Sequence, residues 1–337
     1  MKNSFLLQAF EGKNQVVPVW FMRQAGRSLP QYRKIREKYP LQEMFQTPEL
    51  ASEITCLPVD ILKVDAAILF ADILTLPAQM GFEIEFDNHH GPQIKNSLRS
   101  ENDLKEIRPF KDLAYLGQAI RLTRQKLPAN IALIGFAGSP FTVLSYLIEG
   151  QSPQSFSKTF KLMGENPKLF HQAMEMLTQS TIAYLNFQKK EGIQVFQLFD
   201  SCSGVLPPAS FAHWVLPYVQ KIFKAVDLPS IYYVRNCHHL LTLMDRTDAD
   251  FLSVCHTVVL GHQTTIERTK KGIQGNLFNG TLYADNRTLE REVRDVLAGG
   301  TKHKRYIFNL SHGVLPDTDV DKLKFVVEKV HGFKLSK

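Results

Sequence analysis

The 337-residue chain holds only four cysteines, Cys56, Cys202, Cys237 and Cys255, with no CxxC spacing among them. That excludes a disulfide framework and fits a reducing compartment. Long apolar runs are missing too. Asp65 and Asp72 interrupt the longest candidate before it reaches the ~18 residues of a membrane span. Residues 5–10 are a short apolar patch holding Gln8 and followed by polar residues 11–15, which does not read as a signal peptide. The expectation is a cytoplasmic protein with no membrane partner. The net charge is +7, yet residues 33–38 and 302–305 are the longest basic runs and carry no interleaved aromatics, so nucleic acid is not an expected partner. There is no GxGxxG after the first strand, no P-loop, no HExxH and no GxSxG. Dinucleotide, triphosphate, zinc-protease and serine-hydrolase chemistry therefore lack their motifs. No lysine stands just beyond a strand to form a Schiff base. Linkers and low-complexity tracts are absent, which predicts a single domain over residues 1–337 with residues 1–15 as an N-terminal extension.

What is present is alternation. Strand-like segments at 16–21, 66–70, 131–136, 194–199, 230–234, 251–254, 273–275 and 306–310 alternate with helix-like ones. The helical segments are 30–37, 48–62, 113–126, 166 to about 190, 209–225, one starting near His238, 264–271, 289–297 and 320–330. Thr47 and Pro48 mark one helix start, Asn166 and Pro167 another. A hairpin is expected after the second strand, formed by 83–86 and a return through Pro92 and Ile94, turning at 88–91. Alternating βα units imply a parallel sheet, and eight of them closing on themselves make an α/β fold, the (β/α)8 TIM barrel.

In such a barrel the chemistry gathers where the strands end. The first strand ends at Met22-Arg23-Gln24-Ala25-Gly26-Arg27. Two guanidiniums there favour an acidic ligand, because each is a rigid fork that stays charged and matches a carboxylate. Gly26 between them permits φ > 0 or a close backbone approach. Asp72 follows the second strand among apolar neighbours, where an unpaired charge is expensive, so it must meet donors or a cation or stay protonated. The later ends deliver Gly138, Ser139 and Tyr146, then Asp200, Ser201 and Arg235, then Cys255 and His256, Asn276, Ser311 and His312. Some of these must be caps and turns, but four or more convergent polar groups point to a cleft.

These residues carry a resemblance. From Pro18-Val19-Trp20 to His331 the chain resembles the uroporphyrinogen decarboxylase family. The matching motifs include Met22 to Arg27, Val64-Asp65-Ala66-Ala67-Ile68-Leu69-Phe70 with Asp72-Ile73-Leu74, and Ile134-Gly135-Phe136-Ala137-Gly138 with Ser145-Tyr146 and Glu149-Gly150. They continue through Gln197-Leu198-Phe199-Asp200-Ser201 and Gln274-Gly275-Asn276-Leu277 to Phe308-Asn309-Leu310 with His312-Gly313. The resemblance implies a homodimeric barrel that removes the four acetate carboxyls of uroporphyrinogen III, giving coproporphyrinogen III with neither cofactor nor metal. It implies a catalytic Asp72 that stabilises a pyrrolic cation, carboxylate-binding Arg23 and Arg27, contacts from Tyr146, Ser201 and His312, and Gln24, Ala25 and Gly26 lining the same loop. Arg23, Arg27 and Tyr146 join Asp72 as expected catalytic groups. A substrate with eight carboxylates would also use the basic excess for steering.

The chain departs from the family pattern at Ser28, Cys202 and Arg235, in Ser253-Val254-Cys255-His256-Thr257, and in Asn276-Leu277-Phe278-Asn279. Two acids are missing from that sector of the barrel. A zinc methyltransferase of the same barrel superfamily is one alternative, requiring His-x-Cys at the end of strand five and a cysteine after strand eight. Val234, Asn236 and His312 stand there instead. A tetrapyrrole-binding protein without turnover is the other. Cys237-His238-His239 and Cys255-His256 raise a zinc site as a question, because adjacent barrel strands bring such ligands together. The preferred reading has His238 and His239 opening an outward-facing helix, Cys255 in the core, and His256 filling the space of a larger side chain.

Overall fold

Seven parallel strands form the central sheet of the computed structural model, which describes residues 4–87 and 91–335. In chain order the strands are β1 (Ala66–Ile68), β2 (Ile84–Asp87), β3 (Gly91–Ile94), β4 (Ala132–Gly138), β5 (Val195–Asp200), β6 (Ser230–Val234), β7 (Phe251–Ser253), β8 (Gly272–Gln274) and β9 (Tyr306–Ile307). The sheet runs β1-β4-β5-β6-β7-β8-β9, while β2 and β3 make a separate antiparallel hairpin. Parallel strands covered on both faces must be apolar throughout, and β4 and β6 are buried at every position.

The expected first strand closes the ring without forming a ladder. Val19 makes one parallel bridge to Phe308, and Phe308 N–H donates to the Pro18 carbonyl at 2.9 Å. On the other side Asp65 N–H donates to Val19 O at 2.8 Å. The Val19 N–H goes to the Asp65 carboxylate at 2.7 Å, so a side chain takes the bond that a neighbouring strand would have made. Residues 16–21 thus fill the gap between β9 and β1 as the eighth position. Each barrel strand is separated from the next by helix, as the (β/α)8 reading requires.

Helix boundaries follow local chemistry. Asn166 accepts the Leu169 N–H at 3.1 Å and caps Pro167–Glu191. Asp285 and Asp319 cap Asn286–Gly300 and Val320–His331 in the same way. Pro48 opens Pro48–Leu62, but Thr47 makes no side-chain cap bond. The continuous helix expected over 209–225 is broken into Pro208–Trp214 and Leu216–Ala225, because Pro217 brings no N–H to the ladder. The helix expected over 264–271 is shorter, Gln263–Arg268.

Several further helices went unread in the sequence, Leu41–Gln46, Thr75–Gln79 and Glu101–Lys105 among them. Residues 5–10, an apolar patch on first reading, lie in the helix Phe5–Glu11, with Leu6 and Ala9 buried. Its Phe10 ring sits 4.6 Å from Phe251 and its Phe10 carbonyl accepts from Arg305, so it packs beneath the strand starts, opposite the functional face. Helices Pro140–Glu149 and Ser157–Glu165 follow β4. The β2–β3 hairpin lies where expected, pairing Ile84 with Ile94. Residues 88–90 of its turn lie outside the described residues. Ile94 N–H donates to Gly150 O at 2.8 Å, which docks the hairpin over the C-terminal end of β4's helix.

Candidate active site

The loop after the eighth barrel position is held from three directions. Met22 N–H donates to Asn309 Oδ1 at 3.2 Å, Val314 N–H to Met22 O at 2.8 Å, and Phe21 N–H to Gln24 Oε1 at 3.0 Å. These bonds hold Arg23 in the left-handed region at φ 59, a conformation uncommon for a non-glycine residue. Gly26 does not take a positive φ; a Cβ on it would come within 3.1 Å of the Arg23 carbonyl, so its small size serves the turn. Gly313 has the matching role opposite, since a Cβ there would collide with the Arg23 Cδ at 2.6 Å. The Arg23 side chain lies across that glycine into the cleft.

The cleft has a volume of about 480 Å³, the size of a small-molecule site. Of the residues singled out from the sequence, Arg23, Ala25, Asp72, Tyr146, Ser201 and His312 line it together. Gln24, Gly26 and Arg27 do not. Gln24 is fully buried, with Oε1 on Phe21 N–H and Nε2 on Ala66 O, so its amide ties the loop to β1. Arg27 is exposed outside the cleft lining, and its carbonyl accepts from Arg33. Asp200, Asn276 and Gln274 also serve the frame. Asp200 is buried under Thr142 and Tyr232 hydroxyls at 2.8 and 2.9 Å. Asn276 spends its amide on two carbonyls, and Gln274 bridges Trp20, Gln197 and Ser253 across the barrel interior.

Asp72 sits at the cleft floor beyond β1. Its Oδ1 accepts the Leu74 N–H at 2.9 Å. Burial pushes its carboxyl pKa above the ordinary value, with the Leu74 N–H and the Arg23 guanidinium pulling the other way. The Tyr146 hydroxyl, on the helix after β4, lies 3.3 Å from Ser152 Oγ, and burial raises its pKa. His312 is held down to about 4, first by burial and then by Arg23 and Arg235. Its Nδ1 faces the Gly313 carbonyl at 3.4 Å, and a carbonyl only accepts, so the proton sits on Nδ1 and Nε2 keeps a lone pair. His312 is therefore a neutral acceptor beside two cations.

Sequence reasoning placed Arg235 at a strand end without giving it a ligand role, and it passed over Tyr233 entirely. Both line the cleft. Tyr233 reads as core in an unbroken apolar strand, and its ring does pack edge-on to Phe199 at 5.7 Å, which meets Phe136 at 5.5 Å. Its hydroxyl, however, is buried and has no hydrogen-bond partner among the described residues. Such an orphan costs about 1–3 kcal/mol. A second group of rings, Phe45 with Phe70 at 4.9 Å and Tyr32 with Phe70 at 5.8 Å, walls the other side. The cleft thus joins flat apolar walls to a cationic rim and one carboxyl on its floor.

Cys237 and Cys255 lie sulfur to sulfur at 3.7 Å in the core beside it. Among the described residues no three His, Cys, Asp or Glu side chains converge to hold a metal ion. His239 bonds the Leu206 carbonyl at 2.9 Å. His256 is exposed, on Ser311 Oγ at 2.8 Å and against the Phe278 ring, rather than filling the space of a larger side chain.

Fold and cleft together define a (β/α)8 barrel with a small-molecule pocket lined by aromatic rings, two guanidiniums and one aspartate. The sequence profile described as Uroporphyrinogen decarboxylase (URO-D) matches residues 1–333. A protein of Thermodesulfovibrio yellowstonii named uroporphyrinogen decarboxylase is 40% identical over 337 residues, covering 99% of both chains. One of that name from a Roseiflexus species is 41% identical over 327 residues, covering 94% of each. The chain belongs to the uroporphyrinogen decarboxylase family. Among solved structures, a methyltransferase from Methanosarcina mazei superposes with a TM-score of 0.80 at 20% identity, covering 98% of both chains. That likeness concerns the fold alone.

Proposed function

We propose that the protein removes the four acetate carboxyls of uroporphyrinogen III as carbon dioxide to give coproporphyrinogen III, a step of haem and porphyrin biosynthesis, without cofactor or metal. The observation that carries this reading is the Asp72 carboxyl on the floor of an aromatic-walled cleft, with Arg23 acting on it. Loss of carbon dioxide from a pyrrole acetate needs an electron sink. A pyrrole protonated on a ring carbon is one. The C–C bond electrons then flow into the ring as carbon dioxide leaves, the exocyclic carbon takes a proton to become methyl, and the ring proton is lost. Each step consumes one proton overall and one carboxylate.

Asp72 accepts the pyrrole N–H bonds and balances the positive charge as it develops, the preorganised electrostatics that give the largest catalytic contribution in many enzymes. Its Oδ1 is already bonded to Leu74, so Oδ2 is the atom left to face the substrate. Arg23 binds a substituent carboxylate, Tyr146 and Ser201 contribute hydroxyls, and the neutral His312 accepts a hydrogen bond. Arg27 acts from outside the cleft as an attracting charge. The substrate is a small anionic molecule rather than nucleic acid. The reading includes a homodimer, for which the exposed Val205, Val259, Phe278 and Tyr283, on loops beyond β5, β7 and β8, supply apolar surface. A cytoplasmic site fits, since no helix among the described residues is long and apolar enough to cross a membrane. Carbon dioxide release from uroporphyrinogen III under anaerobic conditions tests the activity, with four molecules per substrate expected and none contradicting it. Light scattering tests the dimer; a monomeric mass at micromolar concentration would refute it.

A further inference from the structure

The β6 wall carries two polar groups that the family resemblance assigns to nothing. Tyr233 and Arg235 are two residues apart, so the pleat aims both at the barrel interior. Tyr233 is 2% exposed and lines the cleft, and its hydroxyl has no partner among the described residues. Arg235 lines the same cleft, and its side chain is in no ion pair or hydrogen bond with a described residue. Its backbone is clamped. Arg235 N–H donates to Asp200 O at 3.2 Å, and the Arg235 carbonyl lies so close to Gly204 that a Cβ there would overlap it. The side chain therefore leaves a fixed point on the wall. A buried phenol with no partner and an exposed guanidinium with none among the described residues, on two residues that line one cleft, are complementary to an anion with two acceptor oxygens.

We propose that Tyr233 and Arg235 form a carboxylate subsite on the β6 wall, separate from Arg23, in which the phenol O–H and the guanidinium donate to one substituent carboxylate of the substrate. This rests on the reading of the cleft as a polycarboxylate site and adds to it the group that fixes which way the ring is turned. Arg23, Arg235 and His312 line the same cleft, and both guanidiniums help to hold the imidazole uncharged. A macrocycle over Asp72 would have one carboxylate held on each side of it.

The test is a titration of the full-length protein with uroporphyrin III, the non-reacting oxidised form with eight carboxylates, followed by absorbance. Arg235→Ala should weaken binding about 10- to 100-fold and flatten its salt dependence, and Arg235→Lys should fall between. Tyr233→Phe should weaken binding about 10-fold while leaving the melting temperature of the free protein unchanged or higher, because the orphan hydroxyl is removed. The double variant should lose less than the product of the single effects, since both groups serve one carboxylate. Binding within twofold of wild type in both single variants would overturn the proposal, as would no uroporphyrin binding by wild type. A drop of several degrees in Tyr233→Phe would overturn it too, by showing a structural partner for the hydroxyl. Wild type that binds with this pattern yet releases no carbon dioxide from uroporphyrinogen III would refute the decarboxylase reading and leave the subsite standing.

Discussion

Replacing Asp72 with Asn isolates the charge on the cleft floor. The amide oxygen can still accept the Leu74 N–H that Oδ1 accepts at 2.9 Å, so the loop after β1 keeps its shape. What changes is the second atom. A carboxylate oxygen becomes an NH₂ group, which presents a donor to the pyrrole N–H and leaves the developing cation unbalanced. Removing one preorganised electrostatic partner typically costs about 2.7–4 kcal/mol in the transition state, so kcat should fall by about 100- to 1,000-fold. Stability should move the other way. Burial raises the folded pKa of Asp72 above its unfolded value, so its contribution to stability is full below the unfolded pKa and is lost as pH rises through the folded one. Deprotonation of this carboxyl therefore opposes folding, and Asp72→Asn should melt at an equal or higher temperature at pH 7. Steady-state assay of uroporphyrinogen III consumption with parallel calorimetry measures both. Near-wild-type turnover would refute the role given to Asp72. A large fall in melting temperature would instead mean that the carboxylate braces the loop.

Arg23→Ala deletes a charge-assisted contact worth about 1.5–3 kcal/mol, so kcat/KM should fall roughly 10- to 150-fold; Arg27→Ala, outside the cleft, should cost less than about fivefold, and equal losses would contradict their placement. His331 bonds Asp65 Oδ2 at 3.0 Å, and that bond raises its pKa. Its stabilisation is complete below the unfolded histidine value and is lost as pH rises through the folded one, so the melting temperature should fall across neutral pH, and His331→Asn should flatten that slope. Chelator should leave the melting temperature unchanged, because Cys237 and Cys255 find no third ligand among the described residues; about one zinc per chain by elemental analysis would overturn this.

The alternation of strands and helices was legible where an element carried a local signal. Asn166 with Pro167 marked the longest helix, and the apolar runs of β4 and β6 marked strands buried on both faces. The misreadings have equally local causes. Pro217 was visible inside 209–225, yet the apolar period on either side of it masked the break. Residues 16–21 look like a ladder strand, but the Val19 N–H bonds the Asp65 side chain, which no periodicity could reveal. At the site, Arg23 and Asp72 stood out as charges at strand ends. Gln24 was named only through the resemblance, and its side chain is tied to Phe21 N–H and Ala66 O, a buried role that polarity alone does not tell from a ligand's. Tyr233 erred in the opposite direction. Its ring belongs to the core and only its hydroxyl betrays the cleft, a distinction that exists at the level of atoms and not of residue types.

The central claim is the chemistry assigned to the cleft. An anaerobic incubation of the purified protein with uroporphyrinogen III, with products oxidised and separated by carboxyl number, tests it most directly. The account predicts passage through seven-, six- and five-carboxyl intermediates to a four-carboxyl product, with no added metal or cofactor. Substrate that keeps all eight carboxyls would contradict it.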